Sequence, residues 1–230
     1  YETGRGVRKS SIHDRLAAVG ACHGEAFGWE RPNWYAPDGE RPVYEYSYGR
    51  QNWFEHSANE HRAVRDGVAL FDQSSFAKFR LEGRDAVRVL NRMCTNNVDV
   101  SPGRVIYTQW LNERGGIEAD LTVTRLTETT FMIVGGAETE VRDFYWLKRH
   151  IPDDAHCVLT NVTSGMGVIS IMGPRARDLL QSLTPADLSH ASFPFATSRE
   201  IEMGFGHVRA SRITFVGELG WALYIPTELM

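Results

Sequence analysis

Two residues stand where a polar pocket could form, Tyr107 and Asp120. Asp120 follows a double glycine in the stretch LNERGGIEADLTV and is expected to open the alternating run LTVTRL, while Tyr107 precedes it by thirteen residues. If the chain turns at the glycines, residues 107–111 and 120–124 form paired strands. The phenol and the carboxylate would then face one cavity, where such groups bind polar ligands or move protons.

A second carboxylate, Glu218, lies between Gly217 and Gly220 in the stretch FVGELGW. Glycines on either side let the backbone come close to a ligand, so Glu218 is a third candidate for the same pocket. The pattern alone leaves the simpler interpretation open. Solvated acids in turns and a tyrosine in the core would produce the same residues.

The residues and their spacing disfavour three other kinds of functional site. The stretch GMGVISIMGP has the first two glycines of a dinucleotide-binding turn, but strand residues follow them where a helix is required. The histidine pairs His56/His61 and His150/His156 do not have the spacing of two ligands on one helix face, so no metal site is predicted. The sequence contains no GxSxG nucleophile elbow.

The elements that would position these residues alternate irregularly between strands and short helices. Residues 1–50 read as an irregular segment, residues 57–67 as a helix and residues 74–83 as a strand. The stretch RVIYTQWLN-ERGG-DLTVTRL predicts a hairpin, and GMGVISIMG a buried strand followed by a helix that starts at Pro174. TEVRDFYWLKRHI predicts an amphipathic helix. Its buried face is expected at Val141, Phe144, Leu147 and Ile151. Antiparallel hairpins without βαβ alternation favour an α+β fold.

Composition and net charge limit the classes of protein to which this chain can belong. The chain has 230 residues, a net charge of −4 and a sequence pI near 6.1, which argues against nucleic-acid or membrane-surface partners. Its three cysteines are far apart, and we expect free thiols in a reducing compartment. The chain starts at a tyrosine and ends where a new helix is expected, which suggests a fragment of a longer protein.

The blocks YTQWLNERGGIEADLTVTRL and RITFVGELGWALYIP resemble the two signature blocks of the folate-binding aminomethyltransferase family, which includes the T-protein of the glycine cleavage system. FDQSSFAKFRLEGRDAVRVLNRMCTNNV and GVISIMGPRARDLLQSL match its other blocks in the same order. The flanking GACHGEAFGWERPNW and FPFATSREIEMG resemble the branch that forms the carboxyl-terminal half of flavin-linked dimethylglycine and sarcosine dehydrogenases. The resemblance covers nearly the whole chain.

The resemblance implies an α+β fold of antiparallel sheets and short helices, with three subdomains in a ring around a central folate. By analogy, residues 40–77 and 165–230 form the first subdomain, and residues 78–164 form the second, which carries the glycine hairpin. Residues 1–39 would be an ordered wrapping segment that leads from an FAD domain. That FAD domain and the third subdomain are expected outside this chain.

The resemblance also implies roles for individual residues. Asp120 matches the catalytic acid that sits beside the reacting nitrogen of tetrahydrofolate, and Tyr107 matches a tyrosine that lines the folate site. Glu218 matches the glutamate that hydrogen-bonds the pterin ring. Gly135 is the equivalent of an asparagine of the T-protein, so it is expected at the folate-binding site but without that side chain's hydrogen bond to the pterin.

The implied activity is tetrahydrofolate-dependent one-carbon transfer. An iminium from an N-methyl amine or methylated amino acid would be captured as 5,10-methylenetetrahydrofolate, within a larger FAD-dependent dehydrogenase or oxidase of the bacterial cytoplasm or the mitochondrial matrix. Two alternatives stay open. The chain could be a non-catalytic regulatory or scaffolding domain of the same fold, or a folate-dependent demethylase.

Overall fold

The computed structural model describes residues 2–230 and contains five α-helices and twelve strands within them. The helices are α1 His13–Ala18, α2 Phe54–Asp66, α3 Ala86–Met93, α4 Glu140–His150 and α5 Ala176–Gln181. The strands are β1 Ala21–Ala26, β2 Trp29–Tyr35, β3 Ala69–Asp72, β4 Ala77–Glu82, β5 Val105–Leu111, β6 Ile117–Arg125, β7 Thr130–Gly135, β8 Val158–Asn161, β9 Met166–Met172, β10 Ser198–Met203, β11 Gly206–Ser211 and β12 Gly220–Pro226. None of the helices in this described part of the chain has the length and apolar character that crossing a bilayer requires.

The strands form three antiparallel sheets. Strands β1 and β2 make a separate hairpin. Sheet I has the order β10-β11-β12-β9-β3, and sheet II has the order β5-β6-β7-β4-β8. Every strand pairing in both sheets is antiparallel. The predicted α+β class with antiparallel sheets is therefore confirmed.

Sheet II buries one face under α3 and α4. Along β4, Phe79 and Leu81 are fully buried, while Arg80 between them is exposed, as the period of two in the sequence predicts. Trp110 and Leu121 continue this core onto the hairpin of β5 and β6. Because these two side chains pack into the core, the side chains that alternate with them along β5 and β6 point to the opposite face of the sheet.

The two five-stranded sheets meet through a smaller apolar cluster. Met132 and Val134 of sheet II pack with Val168, Ala222 and Tyr224 of sheet I. All five side chains are buried, and this burial raises the pKa of the Tyr224 phenol. The opposite face of sheet I is closed by α5 and by the segment 183–195.

The amino-terminal fifty residues are more regular than predicted. The irregular segment expected there contains α1 and the β1–β2 hairpin, in which Trp34 is 1% exposed. The sequence did not predict these two strands because they contain Gly24 and Pro32, and both residue types are rare inside strands. A register shift between Cys22 and His23 accommodates the irregular pairing.

Several predicted helix limits shift in the structure. Helix α2 begins at Phe54 instead of Ser57, and it ends before Gly67 as expected. Helix α5 begins at Ala176, so Pro174 precedes it instead of opening it. The strand predicted from residue 74 starts only at Ala77.

Helix α4 buries a different set of side chains from the set that the sequence predicted. Leu147 is buried as expected, but Val141 is 69% exposed. Glu140 and Asp143 are buried in its place, and each accepts hydrogen bonds from neighbouring side chains. The apolar periodicity did not predict that these carboxylates are buried, because it assigns only apolar residues to the buried face. A buried carboxylate is nevertheless stable when its hydrogen bonds are satisfied.

The subdomain limits proposed from the resemblance stay a prediction. Sheet II is built from strands between residues 77 and 161, and sheet I from strands in residues 69–72 and 166–226. Each sheet thus lies on its own side of the expected limits, apart from Ala77.

Candidate functional site

The double glycine forms the turn between β5 and β6. The side-chain oxygen of Asn112 accepts hydrogen bonds from the backbone N–H groups of Arg114 and Gly116, at 3.0 and 2.9 Å. Gly115 has φ +79°, a left-handed conformation that favours glycine. A Cβ atom at Gly116 would lie 2.9 Å from the amide nitrogen of Asn112. Glycine is therefore favoured at position 115 by the backbone conformation, whereas a side chain at position 116 would displace the Asn112 side chain that holds the turn.

The register of the hairpin brings Tyr107 and Asp120 to one face. Tyr107 lies opposite Thr122, and Gln109 lies opposite Asp120, so Tyr107 and Asp120 are diagonal neighbours. The Tyr107 hydroxyl donates a hydrogen bond of 2.8 Å to Asp120 Oδ2. Asp120 is the fourth residue of β6, which corrects the expectation that it opens the strand.

The pair lies on the face of sheet II opposite to the Trp110–Leu121 core, on the strands β5 and β6 at one edge of the sheet. Tyr107 is 58% exposed and Asp120 is also exposed, so residues 2–230 do not enclose them in the hollow expected from the sequence. The hydrogen bond to Asp120 raises the pKa of the Tyr107 phenol, and the negative charge of the carboxylate adds to the effect. Among the described residues, Asp120 Oδ1 accepts no hydrogen bond, which leaves one carboxylate oxygen available to a ligand.

Glu218 is not brought into contact with this pair. It lies in the loop between β11 and β12, after Gly217 with φ +84°, and its side chain is 21% exposed. Glu218 Oε1 forms an ion pair of 2.9 Å with Arg65 Nη1 on the last turn of α2. Within the described part of the chain, no hydrogen bond or ion pair joins Glu218 to Tyr107 or Asp120.

Gly135 ends strand β7 and faces the opposite side of sheet II. A Cβ atom there would lie 3.8 Å from Leu121 Cβ and 3.7 Å from Asp143 Oδ2. Leu121 belongs to the buried core, so a side chain at position 135 would point away from the face that carries Asp120. A contact between folate and Gly135 stays a prediction, and it would have to involve the backbone.

The structure adds Gln109 to the site. Gln109 lies directly opposite Asp120 in the register, and its Oε1 accepts a hydrogen bond of 3.3 Å from the Thr95 hydroxyl. The signal was present in the sequence, because Gln109 is two residues from Tyr107 and therefore on the same face. Among the described residues, no three histidine, cysteine, aspartate or glutamate side chains come together to hold a metal ion.

Comparison with known proteins identifies the fold. The GCVT N-terminal domain family matches residues 12–230. The aminomethyltransferase T of the glycine cleavage system from Bartonella henselae superposes with a TM-score of 0.78 at 24% identity, over 97% of this chain and 55% of that one. This likeness supports the shared fold.

Curated relatives are longer than this chain. It is 44% identical to 4-methylaminobutanoate oxidase (formaldehyde-forming) of Paenarthrobacter nicotinovorans, covering 99% of this chain and 28% of that protein. Human mitochondrial sarcosine dehydrogenase is 34% identical, with coverages of 97% and 28%. The mitochondrial pyruvate dehydrogenase phosphatase regulatory subunit of Mus musculus is 32% identical, with coverages of 99% and 27%.

The family match spans nearly the whole chain and includes both motif blocks that carry Tyr107, Asp120 and Glu218. The relatives include oxidases and dehydrogenases, and one is named as a regulatory subunit. The chain therefore belongs to the GCVT N-terminal domain family, the folate-binding aminomethyltransferase family that its motifs resemble.

Proposed function

We propose that this chain is a tetrahydrofolate-dependent one-carbon transfer domain of a larger N-methyl amino acid dehydrogenase or oxidase. The observation that supports this most directly is the Tyr107–Asp120 pair, joined at 2.8 Å across the two strands that the family's glycine turn connects. An exposed carboxylate that keeps one oxygen unpaired among the described residues is poised for a ligand.

The donors and acceptors present fit a reduced pterin. Pterin amino and ring N–H groups are donors, and the carboxylates of Asp120 and Glu218 can only accept hydrogen bonds when ionised. The exposed ring of Tyr107 provides an aromatic surface beside Asp120. When bound, tetrahydrofolate supplies the nucleophilic nitrogens that take up the carbon as 5,10-methylenetetrahydrofolate.

Each residue has a separate task in this proposal. Asp120, as a carboxylate, would attract a positively charged iminium and accept the proton released as the carbon passes to folate and the demethylated amine leaves. Tyr107 holds one oxygen of that carboxylate and so fixes which oxygen faces the ligand. Glu218 orients the pterin, and Arg65 holds Glu218 in place through their 2.9 Å ion pair. Fixed orientation of the two reactants contributes much of the rate.

Enclosure of the site would come from outside this chain. The chain spans 27–28% of the length of the curated relatives and 55% of the length of the solved aminomethyltransferase. We infer that a third subdomain covers the exposed face of Tyr107 and Asp120, and that FAD binds to a separate amino-terminal domain of the parent protein. The name of the first relative includes formaldehyde formation, which is the oxidation level of the carbon to be captured. We place the parent protein in the bacterial cytoplasm or the mitochondrial matrix.

A second candidate function is regulatory or scaffolding. It is favoured by one observation, the 32% identity to a protein named as a phosphatase regulatory subunit. A folate-dependent demethylase is a third candidate with the same ligand. The retained Asp120, hydrogen-bonded to Tyr107, favours the catalytic proposal over the regulatory one.

The test is a product assay on the full-length parent protein. With an N-methyl amino acid and tetrahydrofolate, the wild type should form 5,10-methylenetetrahydrofolate, and Asp120→Ala should reduce that rate by about 100-fold, the typical worth of a positioned acid or base. Amine oxidation should continue, with free formaldehyde as the product. Asp153→Ala removes an exposed carboxylate elsewhere and should change neither rate. Equal product formation by wild type and Asp120→Ala would refute the assigned role, and a wild type that neither binds folate nor forms the product would favour the regulatory function.

A further inference from the structure

Residues 43–48, with the sequence VYEYSY, lie between strand β2 and helix α2 and belong to no helix or sheet. The rings of Tyr44 and Tyr46 stack, with their centres 6.0 Å apart and an angle of 13° between their planes. Side chains two positions apart share one face when the chain is extended. The stacking therefore indicates that residues 43–48, here called the tyrosine segment, have an extended backbone.

Two amide side chains satisfy one edge of the tyrosine segment. Asn52 Nδ2 donates to the Val43 carbonyl at 2.8 Å, and Asn52 Oδ1 accepts the Glu45 N–H at 3.2 Å. Gln51 Nε2 donates to the Ser47 carbonyl at 2.6 Å, and Gln51 Oε1 accepts the Ser47 N–H at 3.3 Å. A neighbouring strand would bind alternate residues through the same kinds of hydrogen bond. The two side chains therefore take the place of a partner strand along this edge.

The other edge of the tyrosine segment is open. The backbone N–H and C=O groups of Tyr44, Tyr46 and Tyr48 form no hydrogen bond with the residues that the structure describes. In an extended chain the backbone groups of successive residues point to opposite sides, so these groups face away from Gln51 and Asn52. The segment contains no lysine or proline, the residues with which proteins protect an exposed strand edge. This edge is therefore available to pair with another strand.

Tyr44 anchors the segment, while the tyrosines that follow it stay in water. The Tyr44 ring is half-buried and packs against the cluster that contains Cys22 and Trp34. Tyr46 is 90% exposed, and Tyr48 is fully exposed. Large aromatic side chains that remain in water offer apolar area for contact with a partner.

Charges next to the segment are satisfied within the chain. Glu40 contacts His56 at 3.0 Å, and Arg50 forms an ion pair of 2.6 Å with Glu55. The segment itself contains one charged residue, Glu45, at a position that alternates with the tyrosines. The open edge thus favours a partner that contributes backbone hydrogen bonds and apolar side chains instead of charge.

The tyrosine segment lies beside the amino-terminal residues of the chain. Val43 and Tyr44 line a cavity of about 630 Å³ together with Arg5, Gly6 and Lys9. The chain spans 27–28% of the length of its curated relatives, and the proposed function places an FAD domain before it. A domain that joins the chain at its amino terminus would therefore lie next to the open edge.

We propose that the tyrosine segment pairs with an extended strand of the amino-terminal FAD domain of the parent protein. The inference rests on the part of the proposed function that places this domain before the chain. The backbone groups of Tyr44, Tyr46 and Tyr48 exchange hydrogen bonds with the partner strand, as in other interfaces formed by strand addition. The exposed rings of Tyr46 and Tyr48 pack against apolar side chains of the FAD domain.

Amide hydrogen exchange, measured by mass spectrometry at single-residue resolution, tests the pairing. In the 230-residue chain, the amides of Tyr44, Tyr46 and Tyr48 should exchange fast, because they have no acceptor among the described residues. In the parent protein they should exchange at least about tenfold more slowly, since paired strands must open before exchange. Equal rates in the two proteins would overturn the proposal. Protection in the 230-residue chain that grows with its concentration would assign the edge to a second copy, and would also overturn it.

Two substitutions at one position separate backbone pairing from side-chain contact. Tyr46→Pro removes the N–H that bonds the partner strand, so the protection of Tyr44 and Tyr48 in the parent protein should be lost. Tyr46→Ala keeps that N–H, and most of the protection should remain. Because Tyr46 is 90% exposed, neither substitution disturbs the core. Equal loss in the two variants would refute strand pairing. Neither folate nor amine is added, so failure of this test is distinguishable from failure of one-carbon transfer in the product assay.

Discussion

Tyr107 and Asp120 are joined by a hydrogen bond of 2.8 Å across two antiparallel strands, although thirteen residues separate them in the chain. The bond is diagonal, because Gln109 lies directly opposite Asp120. It occupies one oxygen of the carboxylate, and the other oxygen accepts no hydrogen bond among the described residues. The pair is therefore an exposed hydrogen-bond acceptor at the edge of sheet II.

The first prediction concerns the ionisation of Tyr107. In the wild type, the hydrogen-bonded carboxylate of Asp120 favours the protonated phenol of Tyr107. Asp120→Asn removes this charge and should lower the pKa of the Tyr107 phenol toward its ordinary value of 10.0. The measurement is a pH titration of the ¹³C-labelled tyrosine ring by NMR. Tyr44, whose pKa is raised mainly by burial, is remote from the substitution and should titrate identically in both proteins. An unchanged Tyr107 titration would show that the bond does not form in solution.

The second prediction concerns Glu218. Glu218→Gln should weaken tetrahydrofolate binding by the parent protein about tenfold, since a hydrogen bond to a charged acceptor is lost. Arg65→Ala removes the ion pair but keeps the carboxylate, so it should weaken binding less. Calorimetry on both variants gives the comparison. An equal effect of the two substitutions would mean that Glu218 acts through its ion pair and not as a ligand of the pterin.

The third prediction follows from Glu30, whose pKa is lowered to about 2 by the hydrogen bond from Arg5 and by the Gly6 N–H. In the unfolded chain its pKa is near 4.5, so the stabilisation is complete above that pH and is lost as pH falls toward 2. Because Arg5 is 41% exposed and screened by water, we expect roughly 1–2 kcal/mol.

Urea unfolding at pH 7 and pH 3 measures this contribution. The stability difference between wild type and Glu30→Gln should shrink at the lower pH, where the carboxylate of the unfolded chain is protonated. Glu113→Gln, at an exposed acid whose side chain forms no ion pair among the described residues, is the matched control. A difference that stays constant between the two pH values would contradict the assignment.

The fourth prediction concerns Lys78, which is fully buried and donates to the carbonyl oxygens of Ser74 and Phe76, each at 2.8 Å. Burial lowers its pKa from 10.5 to about 8. The folded state therefore binds fewer protons than the unfolded state between these values, and stability rises with pH across that window. Relative to Lys78→Met, the wild type should gain roughly 3 kcal/mol between pH 7.5 and pH 10.5. Denaturant unfolding of both proteins across this pH range measures the gain. A stability difference that does not change with pH would show that burial does not lower the pKa of Lys78.

Local patterns in the sequence predicted the elements that carry the site. The alternation around Phe79 and Leu81 fixed one buried face of β4, and the double glycine fixed the hairpin that pairs Tyr107 with Asp120. These features depend on residues close in the chain, whose conformations follow from period and turn chemistry.

Other features could not be predicted because burial depends on what lies across the fold. The period of two predicted that Lys78 faces away from the Phe79 core, but not that it becomes fully buried there. Val141 is apolar and exposed, while Asp143 is charged and buried beside Thr139. Sequence patterns rank residues by polarity, whereas burial also depends on whether a polar group finds partners.

The sequence by itself determined the family, through its ordered motif blocks, and the glycine turn that places a tyrosine beside an aspartate. Only the tertiary structure decided that Glu218 pairs with Arg65, that Gly135 faces the core, and that Lys9 and Tyr44 line one cavity. The physical reason is distance along the chain. Contacts within a hairpin are set by local geometry, whereas contacts between distant segments are set by how the two sheets and the amino-terminal segment pack.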